Sequence, residues 1–196
     1  GRRMPEGWSS NAAFVDFYDM KGEIEALLQA ADQMLTFRSA VRPGLHDGQT
    51  AEILLGDEVV GVMGRLHPSA AKALNLPEQT LVAELALASV VGRALPDYQE
   101  ISKFPEVRRD IAVIVNRETP SAAVLDTARA SAGAALADAR IFDVYEGDGV
   151  AENSKSLAIG LTFRDQSRTL TDEEINEFLS QIIKSLGEKL GATLRH

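Results

Sequence analysis

The sequence comprises 196 residues, 45% of them apolar, and carries a formal net charge of −9. The length suits one large domain or two small ones, and the acidic balance excludes the strongly basic body of a non-specific nucleic-acid binder. The lack of cysteine excludes disulfides, thiolate nucleophiles and cysteine-ligated zinc, and it fits a reducing compartment. No apolar run approaches the roughly 20 residues of a membrane span.

The chain begins with Gly1 rather than methionine and shows no signal-peptide pattern. We therefore expect a segment of a longer, cytoplasmic protein. Two prolines, Pro96 and Pro105, bracket a polar stretch that is typical of a domain boundary. The predicted domains are residues 1–97 and 98–196.

The first domain is predicted to be mixed α and β with mainly antiparallel strands. Two apolar runs flank a short turn at Gly56-Asp57-Glu58, which indicates an antiparallel pair. The glycines at 61 and 64 lie inside a strand, so we expect close backbone packing there rather than a phosphate-binding loop. The predicted elements are strands at 14–19, 51–55, 59–66 and 81–87 and helices at 21–34 and 67–74.

The second domain has a clearer pattern. A continuous apolar run over residues 111–115 predicts a central strand, and Thr119-Pro120 supplies an N-cap and a first helical residue. A hairpin over 141–163 follows. Thr171 and Glu174 form a capping box that opens a helix ending at Gly191, and residues 192–195 form a last strand. This βαββαβ order is ferredoxin-like, with two helices on one face of the sheet and the other face open.

Alternation within the hairpin predicts which side chains face the helices. The apolar series from Leu157 to Phe163, together with Phe142 and Val144, is expected to pack under them. Ile141 and three polar residues, Asp143, Tyr145 and Ser156, are then expected on the open face, beside the small Ala158 and Gly160. A ring with free space and nearby acceptors is a plausible platform for stacking a base.

Catalytic and metal-binding patterns are absent from the sequence. The histidines His46, His67 and His196 show no metal-ligand spacing, and we expect structural or capping roles for the first two. No nucleophile elbow, Walker loop or dinucleotide-binding glycine motif occurs. We therefore predict no catalytic residue and no metal site in this chain.

Basic residues flank the predicted first and third strands of the second domain and are candidate phosphate contacts. Acidic residues such as Asp110 and Asp165 are interleaved with them, so an ordinary solvated surface explains the same pattern. The candidates are Lys103, Arg108, Arg109, Lys155 and Arg168.

Four segments, in this order and spacing, resemble the C-terminal anticodon-binding domain of the bacterial phenylalanyl-tRNA synthetase β subunit. In the first half, two further segments resemble the preceding module of that subunit, a non-catalytic relative of the class II synthetase core. The segments are FPEVRRDIAV from Phe104, FDVYEG from Phe142, KSLA from Lys155, RTLTDEE from Arg168, DFYDMKG from Asp16 and GVMGRLHP from Gly61.

The resemblance covers essentially the whole chain and implies an α+β fold. A mixed antiparallel class II synthetase-like module, present in part, would be followed by a ferredoxin-like βαββαβ domain. It also implies that Tyr145 stacks on the first anticodon base, while Asp143 and Ser156 hydrogen-bond to base edges. The acidic loop after Tyr145 departs from the family, so phosphate contacts are expected from the five basic residues named above.

The resemblance further implies the partners. In this family the α subunit holds the active site that uses ATP and magnesium to charge tRNA(Phe) with phenylalanine, and two αβ pairs form a heterotetramer. The chain would support this assembly and bind the anticodon loop, without a cofactor or catalytic activity of its own.

The sequence is also compatible with two other interpretations, because a ferredoxin-like fold serves many functions. One is a regulatory module that binds an amino acid and dimerises edge to edge. The other is a structural module whose open sheet face docks on a protein.

Overall fold

The computed structural model describes residues 1–8, 12–29, 35–91 and 102–195. The chain divides into two compact units, Gly1–Tyr98 and Gln99–His196. The boundary predicted at residues 97 and 98 lies outside the described residues, so it stays a prediction. Within the described ranges, the strands form two four-stranded antiparallel sheets, one in each unit.

The first unit packs a helix on a sheet with strand order β1-β2-β3-β4. Ile24 and Leu28 on the first helix are buried in one cluster with Ile53 and Met63 of the sheet. The elements are α1 (Phe17–Gln29), β1 (Leu35–Ser39), β2 (Leu45–Leu55), β3 (Glu58–Leu66), α2 (Pro68–Ala73), β4 (Leu81–Leu85) and α3 (Leu87–Val91).

The strand predicted at residues 14–19 is wrong, because the chain is helical from Phe17. Asp16 Oδ1 accepts hydrogen bonds from the backbone N–H groups of Tyr18 (2.8 Å) and Asp19 (3.0 Å). The Asp19 carboxylate in turn accepts one from the Asp16 N–H at 2.8 Å. This reciprocal arrangement is a capping box built from two aspartates. It starts the helix before residue 21, and residues 30–34 of the predicted helix lie outside the described residues.

The antiparallel pair around residues 56–58 is confirmed as β2 and β3, and β1 extends the sheet with a strand that was not predicted. Strand β4 stops at Leu85 rather than at 87, because α3 begins at Leu87. The short helix after His67 is confirmed. The ring nitrogen Nδ1 of His67 accepts a hydrogen bond from the Ser69 N–H at 3.3 Å and so caps the helix.

The second unit has the ferredoxin-like arrangement that the sequence predicted, with sheet order β6-β7-β5-β8. Leu157, Ile159, Leu161 and Phe163 on β7 are all fully buried against the helical layer. The elements are β5 (Val107–Asn116), α4 (Ser121–Ala132), a 3₁₀ turn (Gly133–Ala135), β6 (Leu136–Tyr145), β7 (Ser154–Phe163), α5 (Asp172–Leu190) and β8 (Thr193–Leu194).

The two helices of this unit begin differently. Thr119 was predicted to cap α4, but the N-cap is Pro120, which makes no side-chain capping bond. The capping box at the start of α5 is confirmed between Thr171 and Glu174. Gly191 ends α5 with a φ of 64°, a left-handed conformation that glycine adopts at little cost.

Candidate nucleic-acid interface

The β6–β7 hairpin places three predicted site residues on the same face of the sheet. Tyr145 lies directly opposite Ser156, and Asp143 lies opposite Ala158, which is the next pair whose side chains point to the same face. Residues directly opposite in an antiparallel pair point to the same side. Since Leu157 and Ile159 point into the core, the three residues lie on the open face, which confirms their predicted placement.

A β-bulge between Ile141 and Asp143 changes the other half of that prediction. Ile141 lies opposite Ile159 and packs partly buried on the helical side, so its predicted place on the open face is wrong. Phe142 was predicted to pack under the helices, but it lies beside Arg108 on the open face with an exposed fraction of 51%. Val144 lies opposite Leu157 on the helical side, as predicted, although 52% of its surface is exposed. The bulge adds one residue to β6 and shifts the alternation of side chains at that point.

The Tyr145 ring is held from two sides. The guanidinium carbon of Arg195 lies 4.8 Å from the ring centre, within the range of a cation–π contact. The phenol donates a hydrogen bond to the Asp148 carbonyl at 3.3 Å. Gly147 allows this, because a Cβ on Gly147 would lie 2.8 Å from the phenol oxygen.

Ser156 is buried with only 3% of its surface exposed, although it lies on the open face. Strand β7 lies between β6, which carries Tyr145, and β5, to which the segment of Arg195 is bonded. The side chains of Tyr145 and Arg195 meet above the two strands that lie between their own segments, β7 and β5. Because so little of Ser156 is exposed, a base reaches its hydroxyl only after neighbouring side chains have moved.

Arg108 forms a second cluster on the open face, where it lies opposite Thr162. Its Nε donates a hydrogen bond to Asp110 Oδ1 at 3.0 Å. Its guanidinium carbon is 5.8 Å from the centre of the Phe142 ring. Gly160 leaves room beneath, since a Cβ there would lie 3.2 Å from Arg108 Nη2.

The remaining candidate phosphate contacts are spread over other parts of the second unit. Arg109 lies on the helical side, opposite Leu161, and donates to Asp172 at 2.7 Å. Lys155 is also on the helical side, opposite Val115. Arg168 donates two hydrogen bonds to Glu174, and Lys103 is exposed ahead of β5. Only Arg108 of the five shares the face of Asp143, Tyr145 and Ser156.

Three open-face residues were missed by sequence reasoning: Arg140, Phe142 and Arg195. Arg140 lies opposite Gly160. The sequence does carry a signal for the bulge. The apolar helix-facing residues Ala139 and Ile141 are two positions apart, but the next one, Val144, follows after three positions, as an extra residue in the strand requires. Arg195 could not be found this way, because its position depends on where the last strand docks.

The described residues contain no cluster of three or more histidine, aspartate or glutamate side chains that could hold a metal ion. None of the helices among them is long and apolar enough to cross a membrane.

Comparison with known proteins matches the two parts of the chain to two domain families. Residues 102–195 match the family described as ferredoxin-fold anticodon binding domain. Residues 1–87 match the family described as phenylalanyl tRNA synthetase beta chain CLM domain.

Curated relatives match over the whole chain. The phenylalanine–tRNA ligase β subunits of Hahella chejuensis and Pseudomonas putida are 46% and 47% identical to it over 195 and 197 residues. The β subunit of Idiomarina loihiensis is 41% identical over 197 residues. Each alignment covers 100% of this chain but 25% of the relative, so the chain spans about a quarter of the length of these relatives.

Proposed function

The chain belongs to the phenylalanyl-tRNA synthetase β-chain family, with a CLM domain followed by a ferredoxin-fold anticodon-binding domain, and we propose that its second unit binds the anticodon loop of tRNA(Phe). The observation that carries this proposal is the convergence of Asp143, Tyr145 and Ser156 on the open sheet face. An aromatic ring can stack on any base, whereas a carboxylate and a hydroxyl select base edges by hydrogen bonding.

We assign a role to each of the three residues. Tyr145 stacks on the first anticodon base, while the exposed Asp143 carboxylate accepts hydrogen bonds from base N–H groups. The buried Ser156 hydroxyl donates or accepts at a base edge once the side chains around it have moved aside. Together these groups read bases, which is what separates recognition of an anticodon from general attraction to RNA.

Phosphate contacts come chiefly from the open face in this proposal. Arg108 and the additional Arg140 and Arg195 surround the three base-reading residues there. Arg109 and Arg168 are engaged by Asp172 and Glu174, so they and Lys103 and Lys155 act as peripheral contacts. Because the chain is acidic overall, we expect a moderate salt dependence rather than a steep one.

The first unit serves as a scaffold in the proposed assembly. Its surface keeps large apolar side chains exposed, including Tyr18 (76%), Leu27 (52%) and Leu87 (74%), and the buried centre of a protein interface is enriched in apolar and aromatic side chains. We propose that this unit supports association with an α subunit that charges tRNA(Phe) with ATP and magnesium, in a cytoplasmic heterotetramer of two αβ pairs. The present chain contributes no catalytic residue.

The test is a titration of labelled anticodon stem-loop RNA with the chain, at low and moderate salt. The tRNA(Phe) anticodon and a scrambled anticodon in the same stem provide the matched pair. Tighter binding of the tRNA(Phe) anticodon, reduced in Tyr145→Leu, supports base reading by the open face. Equal affinity for both RNAs overturns it. Binding of free phenylalanine in calorimetry, without any response to RNA, would favour a regulatory module instead.

A further inference from the structure

Phe142 presents a second aromatic ring beside the proposed anticodon site. It is the extra residue of the β-bulge between Ile141 and Asp143, and 51% of its surface is exposed. An exposed phenylalanine has no hydrogen-bonding group to satisfy in water, so its exposure is unfavourable without a ligand. The bulge thus places this ring on the surface instead of in the core. Bulges commonly redirect a side chain next to a functional site.

The contact with Arg108 shows that the Phe142 ring lies on the open face of the sheet. Arg108 extends from β5 on the open face, and its guanidinium reaches to 5.8 Å from the Phe142 ring centre. Strand β7 lies between them, and Gly160 provides the space that this approach requires. Asp110 holds the Arg108 Nε at 3.0 Å. The ion pair with Asp110 therefore restricts the orientation of the Arg108 guanidinium.

We propose that Phe142 and Arg108 form a second stacking site, which takes a base of the anticodon loop next to the one on Tyr145. This inference rests on the proposed function and extends it to a specific pair of residues. Four-stranded sheets of this type can stack two or three bases on aromatic side chains of one face. Arginine adds a planar cation that stacks on bases and attracts phosphate.

The layout of the open face favours a nucleotide over an apolar protein partner. Each aromatic ring lies against an arginine, Phe142 with Arg108 and Tyr145 with Arg195. The rings are a few residues apart along β6, which at about 3.3 Å per residue gives a separation of roughly 10 Å or less. A single strand of RNA offers bases and phosphates in alternation, which matches this alternation of rings and cations.

The test uses 2-aminopurine, a fluorescent base that is quenched when it stacks, placed in turn at each position of the tRNA(Phe) anticodon loop. We expect two positions to be quenched by the wild-type chain. Phe142→Leu keeps an apolar side chain but removes the ring, so it should restore fluorescence at one position and weaken binding about 5- to 150-fold. Tyr145→Leu should restore fluorescence at the other position.

Val144→Ala is the matched control, because Val144 is equally exposed (52%), lies on the same strand and points to the helical side. It should bind like the wild type. Arg108→Met, which keeps the stem and removes the charge, should lower affinity and reduce the slope of log K against log salt by about 0.7. Thermal unfolding of each variant checks that the fold is retained.

The outcomes separate the two proposals. If Tyr145→Leu weakens binding while Phe142→Leu binds and quenches like the wild type, the second stacking site is wrong and the anticodon proposal stands. If Phe142→Leu and Val144→Ala weaken binding equally, Phe142 acts through the strand and not by stacking, which also overturns the second site. If the wild-type chain does not distinguish the anticodon, both proposals fail.

Discussion

Arg195 and Tyr145 come from opposite edges of the second sheet, and their side chains meet above the two strands between them, 4.8 Å apart from guanidinium carbon to ring centre. Arg195 is attached to β5, where its N–H donates to the Ala112 carbonyl at 2.8 Å. The Tyr145 ring, which is proposed to stack on a base, therefore already contacts the Arg195 guanidinium in the free chain.

We expect Arg195 and Tyr145 to stabilise each other in the free chain by about 0.5–1 kcal/mol, the usual size of an exposed cation–π contact. A double-mutant cycle with Arg195→Met and Tyr145→Leu measures this coupling directly. The methyl NMR signals of Leu157 and Ile159 in the buried core of the second unit report its urea unfolding alone. Additive effects of the two substitutions would show that the contact contributes nothing.

Acid should weaken the second unit through Glu174. Two hydrogen bonds from Arg168 and one from the Thr171 N–H hold the pKa of the Glu174 carboxyl at about 2, against an ordinary value of 4.5. Because the pKa is depressed in the folded state, the stabilisation is complete above pH 4.5 and is lost as pH falls towards 2. Glu174→Gln should be less stable than the wild type at neutral pH, and the difference should shrink over that range.

The control for this substitution is Glu173→Gln in the same helical turn. Within the part of the chain that the structure describes, the Glu173 side chain forms neither an ion pair nor a hydrogen bond. The substitution should therefore leave the acid limb of the stability curve close to that of the wild type. If Glu173→Gln and Glu174→Gln change that limb equally, general charge reduction and not the capping box explains the effect.

Most of the fold of the second unit could be predicted from local sequence signals. The capping box at Thr171, the glycine at 191 and the long apolar alternation of β7 each depend on neighbours in sequence, so their structures follow from nearby residues. The placement of Asp143, Tyr145 and Ser156 followed from the same alternation, while their roles in binding RNA stay predictions. The ferredoxin-like order then followed from the sequence of elements.

The errors arose where the outcome depends on distant or competing interactions. A β-bulge changed the faces of Ile141 and Phe142, because the partner strand decides which residue is left unpaired. Asp16 and Asp19 formed a helix cap in a segment rich in the aromatic and β-branched residues that are typical of a strand. Arg195 joined the site only because β8 docks beside β5, a contact between residues that are far apart in sequence.

In the first unit, Gly61→Ala should destabilise by about 1–3 kcal/mol, the usual cost of overpacking. A Cβ at this position would lie 2.5 Å from the Glu84 carbonyl and 2.7 Å from the Leu85 side chain of β4. Gly22→Ala is the contrasting control. It lies in α1 with nothing within 4 Å of its Cβ, so alanine should stabilise by about 0.5–1 kcal/mol. Urea unfolding followed at the buried Met63 methyl separates the two signs, and a neutral Gly61→Ala would contradict the close packing.

Phe163 and Phe142 belong to one hairpin, and comparing their alanine variants tests which face each occupies. Phe163 is fully buried and stacks on Phe178, with ring centres 5.9 Å apart, so Phe163→Ala should cost about 3–5 kcal/mol in unfolding free energy. That is a large part of the roughly 5–15 kcal/mol that stabilises a typical domain. Phe142→Ala should cost well under half as much, because its ring is already half in water. Equal losses, measured by urea unfolding at the Leu157 and Ile159 methyls, would place both rings in the core and remove the basis for a second stacking site.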